Sequence, residues 1–388
     1  MSRIMSTVWR VLAQVVVVGA VAAADDACAA SGGVGCTAAA AGSGGGAAAG
    51  GGAGGDFFRS YGTAWVQAEM LQDRPRTEAF RDAILGNRQL FEGKIVLDVG
   101  AGTGILSLFA AQAGAKKVFA VERSDMAVIA RQIARDSGLD GVVEVLHGLL
   151  EEITLPVPTV DIIISEWIGT FLIHESMIDS VLYARDRWLA PGGVILPDQA
   201  TLYIAGVEDQ GTDFGAWQSF YGLNFSALGA ASRRVGFQQC LFRRSVATTT
   251  SVLMDFDMYH TSVAEQEFSR RFQLLPAPLE EGGAHLPGQG EIHALASWFT
   301  LGFFNVSRPT AGGAKTSELS THPDETCMHW QQTLFFLRDA LPKLEDGGAL
   351  QGSIDVRRAE GSPRDLSIRI ALDGQGDEDS FVIVGADL

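Results

Sequence analysis

GKIVLDVGAGTGILSLFAAQAG, residues 93–114, holds the pattern that decides the fold of this chain. An apolar, β-rich run over 93–100 passes through glycines into a helical stretch over 105–114 that stops on Gly114. Working outward, KKVFAVE over 116–122 reads as a second strand and 126–136 as a second helix. Residues 142–148 and 160–167 read as a third and a fourth strand, and a helix near 177–189 runs into the turn Pro191-Gly192-Gly193. Continuous apolar strands separated by helices predict an α/β, Rossmann-like arrangement: a parallel sheet covered on both faces.

The grammar changes after Pro197. Short alternating runs such as ATLYIAGVE, SVLMDFDMY, ALASWFTLGFF and DLSIRIALD are separated by turns rich in Gly and Pro. That pattern predicts an antiparallel β domain. The expected organisation is therefore 56–196 for N-terminal helices and the Rossmann-like domain, and 197–388 for the β domain. Residues 209–231 interrupt the second half with Trp217, Phe220, Tyr221 and Phe225. An arm that docks on another surface and a locally packed insertion both fit this aromatic content.

Residues 1–55 form a leader. Residues 29–55 are mostly Gly and Ala and cannot build a core. Ahead of them, Arg3 and Arg10 precede an apolar run over 11–24, too short to span a bilayer comfortably. A secretory signal and an Ala/Val-rich leader are the two readings of that run. The composition, 47% hydrophobic and 9% aromatic, is that of a globular protein. A formal net charge of -17 disfavours nucleic acid and anionic membranes as direct partners and attracts basic ones, although solubility alone also accounts for it. The four cysteines (Cys28, Cys36, Cys240, Cys327) show neither metal-ligand spacing nor the density of a disulfide framework, so no metal and a reducing compartment are expected.

The loop Asp98-Val99-Gly100-Ala101-Gly102-Thr103-Gly104 lies between the first strand and the first helix. Glycines there let the backbone approach a ligand and aim helix N–H groups at it. The spacing is GxGxG, not the GxGxxG of nicotinamide-binding folds, and an acid at Asp98 suits a ligand with a cationic end. Glu122, at the end of the second strand, is placed to accept from both ribose hydroxyls of a nucleotide. Glu166 ends the fourth strand and Glu175 follows nine residues later. Two carboxylates brought together repel unless a cation sits between them, and a guanidinium matches such a pair. A helix cap at Glu175 beside a solvated acid at Glu166 is the bland alternative.

Three stretches carry a family likeness. SEWIGTFLIHESM (165–177) resembles the double-glutamate loop of protein arginine methyltransferases, MHWQQTLFF (328–336) their Thr-His-Trp loop, and the segment from FFRSYGTAW to EMLQDRPRT (57–77) their N-terminal helix. LAPGGVILPDQATLYIAGVED (189–209) is similar to the segment joining their cofactor domain to the barrel. The likeness runs in order over the chain from Phe57 onward. It implies a class I methyltransferase domain, a barrel with a helical dimerisation arm over about 209–231, and S-adenosylmethionine as cofactor. Arg76 would hold the cofactor's carboxylate, with Phe58 and Tyr61 closing over it and Gln67 and Met70 beside it. Asp98, Gly100, Gly102 and Gly104 would form the cofactor loop, with Glu122 at the ribose and Glu151 at the adenine. Glu166 and Glu175 would clamp the substrate guanidinium, His329 would pair with Asp73, and Met177 and Trp330 would shape the substrate side. The carboxylate pair would draw positive charge to one part of the guanidinium and leave a terminal nitrogen richer in electrons for attack on the methyl group.

The chain departs from the family at Phe57, Ile168, Thr170, His174 and Met328, and at Gln67, where a cofactor-contacting histidine is usual. None of these removes a charge the mechanism needs. Met70 and His329 favour the enzymes that make monomethyl and then asymmetric dimethylarginine. The expected substrates are arginine-containing proteins, Arg/Gly-rich ones above all, with a homodimer or higher oligomer in the cytoplasm or nucleus. Competing readings are the same fold acting on another nucleophile, a catalytically weak regulatory partner of a paralogous enzyme, and a dehydrogenase.

Overall fold

The computed structural model describes residues 61–209, 214–277, 290–304, 316–345, 347–375 and 379–383. The leader and Phe58 lie outside the described residues.

Two helices open the described chain, α1 (Ala64–Gln72) and α2 (Arg74–Leu85). Asp73 sets the start of α2: its carboxylate accepts from the Arg76 N–H, and a proline occupies the first turn, where no amide hydrogen is needed. Then come β1 (Ile95–Val99), α3 (Ile105–Gln112), β2 (Lys117–Glu122), α4 (Met126–Asp136), β3 (Val143–His147) and β4 (Val160–Ile164). After α5 (Ile178–Trp188) the chain forms β5 (Leu189–Leu196). The five strands run parallel in the order β3-β2-β1-β4-β5. Burial of Val96, Leu97, Val118, Ala120, Ile162 and Ile163 on both sides of the sheet explains their unbroken apolar runs.

Pro191-Gly192-Gly193, read from the sequence as a turn, lies within β5, where a register shift opposite Val160 and Ile162 absorbs the extra residues.

Beyond Leu196 the strands are β6 (Gln199–Val207), β7 (Phe237–Gln239), β8 (Ser251–Asp257), β9 (Phe268–Leu274), β10 (Ile292–Phe303), β11 (Ser317–Ser320), β12 (Gln332–Leu341), β13 (Leu350–Ala359), β14 (Ser362–Leu372) and β15 (Asp379–Ile383). They form two antiparallel sheets, β7-β12-β10-β6-β8 with β11 on β10, and β15-β14-β13-β9, in a barrel-like domain. The segment between β6 and β7 holds a 3₁₀ turn (Phe214–Ser219) and α6 (Ser226–Ser232). Phe220, Tyr221, Leu223 and Phe225 are all exposed there, Tyr221 to 90%. The two halves share one hydrophobic core, with Phe80 of α2 packed edge-on against Phe303 of β10 at 5.0 Å.

The structure also corrects the reading of the cysteines. Cys240 and Cys327 are joined by a disulfide, and both residues are exposed. Their 87-residue separation hides the pairing from any spacing rule. Among the described residues no group of His, Cys, Asp and Glu is arranged to hold a metal ion, and no helix is long and apolar enough to cross a membrane.

Candidate active site

The C-terminal ends of β1, β2 and β4 converge on a cavity of about 350 Å³. This is the edge of an open parallel sheet where helix N-termini and loop amides collect. Its walls come from α1 and α2 (Gln67, Met70, Arg76), the glycine loop (Gly100, Gly102), Glu122, Glu151, Glu166, Glu175, Met177 and, from the barrel, Pro363 and Arg364.

On one side the glycine loop shapes the cavity. Gly102 has a φ of +54° and donates its N–H to Glu122 Oε2 at 2.8 Å. A β-carbon there would stand 2.7 Å from Gln67 Oε1, so a side chain would displace the end of Gln67 as well as meet the positive φ. Glu122 accepts the Ser124 N–H as well, at 2.6 Å, which fixes both its oxygens while leaving lone pairs for a ligand. Glu151 lines the wall and accepts from Ser180 Oγ at 2.7 Å. Gln67 donates from Nε2 to the carbonyl of Tyr61, which also lines the cavity, at 2.9 Å.

Two members of the predicted cofactor loop do not face the cavity. Asp98 is 1% exposed, and its Oδ2 accepts from Ser107 Oγ at 2.6 Å on α3. Burial pushes its carboxyl up to about 7, against the pull of the Ser107 hydroxyl. It ties strand to helix and does not line the cavity. Gly104 likewise serves as the left-handed N-cap of α3.

The same cavity is lined by the two glutamates. Glu166, just past β4, accepts from Arg76 Nη2 at 2.6 Å and Nε at 3.2 Å, while its Oε1 accepts the Ile168 N–H at 3.1 Å. Arg76 therefore pairs here with the clamp itself, and its Nη1 donates to the Met70 carbonyl at 3.0 Å. Glu175 accepts from the Tyr61 hydroxyl at 2.8 Å. Burial raises the Glu175 carboxyl above the usual range, opposed first by the charge of His174 and then by the Tyr61 hydrogen bond. Both glutamates, Met70 and Met177 line the one cavity.

His329 and Asp73 meet as expected, Nδ1 to Oδ2 at 2.7 Å, with the His329 N–H on the same oxygen at 2.9 Å. Burial pushes the Asp73 carboxyl up, and the His329 hydrogen bonds outweigh it, leaving it below the usual value. Neither side chain lines the cavity; the pair buttresses the start of the helix that carries Arg76. Trp330 also departs from its expected role. It is 4% exposed and donates Nε1 to the Ile168 carbonyl at 3.0 Å, which supports the double-glutamate loop from behind.

Arg364 lies beyond the reach of the sequence reading. It sits on β14, 189 residues after Glu175, and donates Nη1 to the Glu175 carbonyl at 2.7 Å while its own carbonyl accepts the Glu175 N–H at 2.9 Å. The run DLSIRIALD beside it shows only strand alternation, so no local signal marks it.

These residues fit S-adenosylmethionine. A glycine cradle, an acid with free lone pairs at Glu122, and a buried cation at Arg76 match a nucleoside bearing an amino-acid end.

Comparison with known proteins agrees with this geometry. Residues 198–377 match the family model described as the arginine methyltransferase oligomerization subdomain, and 96–193 match a methyltransferase domain. The chain is 39% identical over 327 residues to protein arginine N-methyltransferase 1 of Caenorhabditis elegans, covering 83% of this chain and 89% of the relative. It is 38% identical over 318 residues to the Saccharomyces cerevisiae protein of the same name, covering 81% and 87%. Among solved structures it resembles a PRMT1 enzyme–prozyme heterotetrameric complex with AdoHcy from Trypanosoma brucei (TM-score 0.75, 33% identity, covering 84% of this chain and 100% of that one). It also resembles protein arginine methyltransferase 10 of Arabidopsis thaliana (TM-score 0.71, 32% identity, covering 84% and 99%).

Proposed function

The chain belongs to the protein arginine N-methyltransferase family, S-adenosylmethionine-dependent enzymes, and on that premise we propose that it makes monomethyl and then asymmetric dimethylarginine in Arg/Gly-rich proteins. The observation that carries this reading is that Glu166 and Glu175 line the same cavity as Gly100 and Gly102 of the glycine loop. When bound, S-adenosylmethionine supplies an electrophilic methyl group. Gly100, Gly102, Glu122 and Glu151 would hold its nucleoside part, and Arg76 its carboxylate. Glu166 and Glu175 would hold the guanidinium by paired, charge-assisted hydrogen bonds and aim one terminal nitrogen. Water or a carboxylate suffices as proton acceptor, because the methylated nitrogen is strongly acidic until it loses its proton.

Met70 and Met177 on the wall support the asymmetric product by limiting space around that nitrogen. The net charge of -17 supports basic substrates over nucleic acid. The exposed aromatic patch of Phe220, Tyr221 and Phe225 supports a homodimer or higher oligomer. The cytoplasm or nucleus is the proposed location because the methyl donor is available there. The Cys240–Cys327 disulfide is the feature that argues the other way.

Incubation with S-adenosylmethionine and an Arg/Gly-rich peptide, read by fragmentation mass spectrometry, tests this. Asymmetric dimethylarginine is the expected product. A symmetric product would overturn the product assignment, and no transfer by cofactor-loaded protein would favour a regulatory partner.

A further inference from the structure

β13 and β14 form a hairpin whose ladder is interrupted near its tip. Arg358 pairs with Leu366, and the next residue, Ala359, pairs with Ser362, so Pro363, Arg364 and Asp365 have no register partner in β13. The ladder from β14 to β15 begins at Leu366, beyond them. These three residues bulge out of the hairpin, the device by which a strand is re-aimed at a site.

All three meet the second half of the double-glutamate loop. Ser176 donates Oγ to the Pro363 carbonyl at 2.5 Å, and His174 Nε2 lies 3.5 Å from Asp365 Oδ1. Arg364, between them, grips both backbone groups of Glu175. Its carbonyl accepts the Glu175 N–H at 2.9 Å, and its Nη1 donates to the Glu175 carbonyl at 2.7 Å.

The gripped stretch is one that does not hold itself. Glu175 and Ser176 have φ values of +77° and +55°, which non-glycine residues keep only when their surroundings impose them. Arg364 and Glu175 both line the cavity, so the grip acts at the wall where a misplaced clamp costs most. Arg358 of the same hairpin does something different: its Nη2 reaches Asp179 Oδ1 at 2.9 Å and Oδ2 at 2.8 Å, docking the hairpin on α5.

We propose that the bulge over 363–365 is a positioning element for methyl transfer and that Arg364 is its positioning residue, holding the Glu175 backbone so that the Glu175 carboxylate meets the substrate guanidinium. This rests on the reading of Glu175 as half of the substrate clamp. Tyr61, donating to Glu175 Oε2 at 2.8 Å, restrains the carboxylate end, and Arg364 restrains the backbone end. Without the guanidinium, the loop relaxes toward backbone conformations that carry no penalty, and the carboxylate no longer aims the attacking nitrogen. The rest of the peptide still binds, so the loss falls on kcat more than on KM.

The test is steady-state methylation of the Arg/Gly-rich peptide by wild type, Arg364→Met, Arg364→Lys and Arg358→Met, with calorimetric affinity for S-adenosylhomocysteine and melting temperature measured on each. If cofactor-loaded wild type does not methylate the peptide, the arginine-methylation reading fails and takes this proposal with it. If wild type is active, the variants judge the proposal alone. Arg364→Met is expected to lose about tenfold to a hundredfold in kcat, the range for a hydrogen bond from a charged donor, with peptide KM and S-adenosylhomocysteine affinity little changed. Arg364→Lys keeps the charge and a donor but not the fork, and recovers part of that loss. Arg358→Met lowers the melting temperature without a comparable fall in kcat. Should Arg364→Met not fold, the lysine variant is read against Arg358→Met, and a lower kcat in the lysine variant alone is expected. Equal kcat losses in the variants of Arg364 and Arg358, or a loss of S-adenosylhomocysteine affinity as large as the loss of kcat, would reduce Arg364 to a tie between the two halves and overturn the proposal. An unchanged kcat in Arg364→Met would overturn it as well.

Discussion

The two loops that line the cavity are built on opposite principles. In the cofactor loop the positive φ angles fall on Gly100, Gly102 and Gly104, where they cost little. In the double-glutamate loop they fall on Phe171, Leu172, Glu175 and Ser176, each a conformation costing on the order of 1 kcal/mol or more. The first loop is self-sufficient: strand, glycines and helix are contiguous in sequence. The second is imposed from outside, by Trp330 on the Ile168 carbonyl and by Arg364 on both backbone groups of Glu175. The cofactor cradle is thus a property of the α/β half, whereas the substrate clamp exists only when the barrel is in place.

That contrast can be broken most forcefully at Glu166. Glu166→Gln is expected to lower methyl transfer to the peptide by a hundredfold or more, roughly the loss of one preorganised charge contact, while S-adenosylhomocysteine still binds. Loss of cofactor affinity on the same scale would mean the two loops do not have separate tasks.

A large effect of a different kind is expected at Asp98. Its folded carboxyl titrates near 7 because of burial, whereas in the unfolded chain it titrates near 4. The native state therefore holds an extra proton between those values, and this group's destabilisation grows as pH rises from about 4 to about 7. Asp98→Asn should gain thermal stability over wild type progressively across that window, by a few kcal/mol at most. A gain independent of pH would show that Asp98 is ionised in the folded protein.

Gly102→Ala probes the self-sufficient loop directly. An L-residue at φ +54° costs about 1–2 kcal/mol, and the new methyl meets Gln67 Oε1, so the Kd for S-adenosylhomocysteine should rise about tenfold. Adding Gln67→Ala should recover only the part due to the contact.

The smallest effect is expected at Trp330→Phe, which keeps the packing but leaves the Ile168 carbonyl without its donor. A loss of about 1 kcal/mol and a melting temperature a few degrees lower are expected, with kcat falling more than cofactor affinity.

The same contrast governs what the sequence makes legible. The parallel sheet, the glycine loop and Glu122 can be read locally because strand, turn and helix follow one another within thirty or so residues. Glu166 and Glu175 are visible as an acid pair, yet only the family likeness separates them from a helix cap beside a solvated carboxylate. Asp98 misleads because an acid beside a ligand and an acid bonded to a serine nine residues on look the same in one dimension. Trp330, expected on the substrate side, lies behind the double-glutamate loop instead of lining the cavity. Arg364 and Asp365 are out of sight altogether, since their partners lie some 190 residues earlier and only the closed barrel brings them together.

The Cys240–Cys327 bridge gives the barrel half a memory. It closes a ring of 87 residues, and in the chain-entropy description such a ring removes roughly 4–5 kcal/mol of freedom from the unfolded ensemble without altering a single native contact. Oxidised and reduced molecules with identical folded geometry are then two thermodynamic species. How long each survives heat or proteolysis records the surroundings in which the chain matured, and because both cysteines are exposed, a small thiol can rewrite that record in the finished protein.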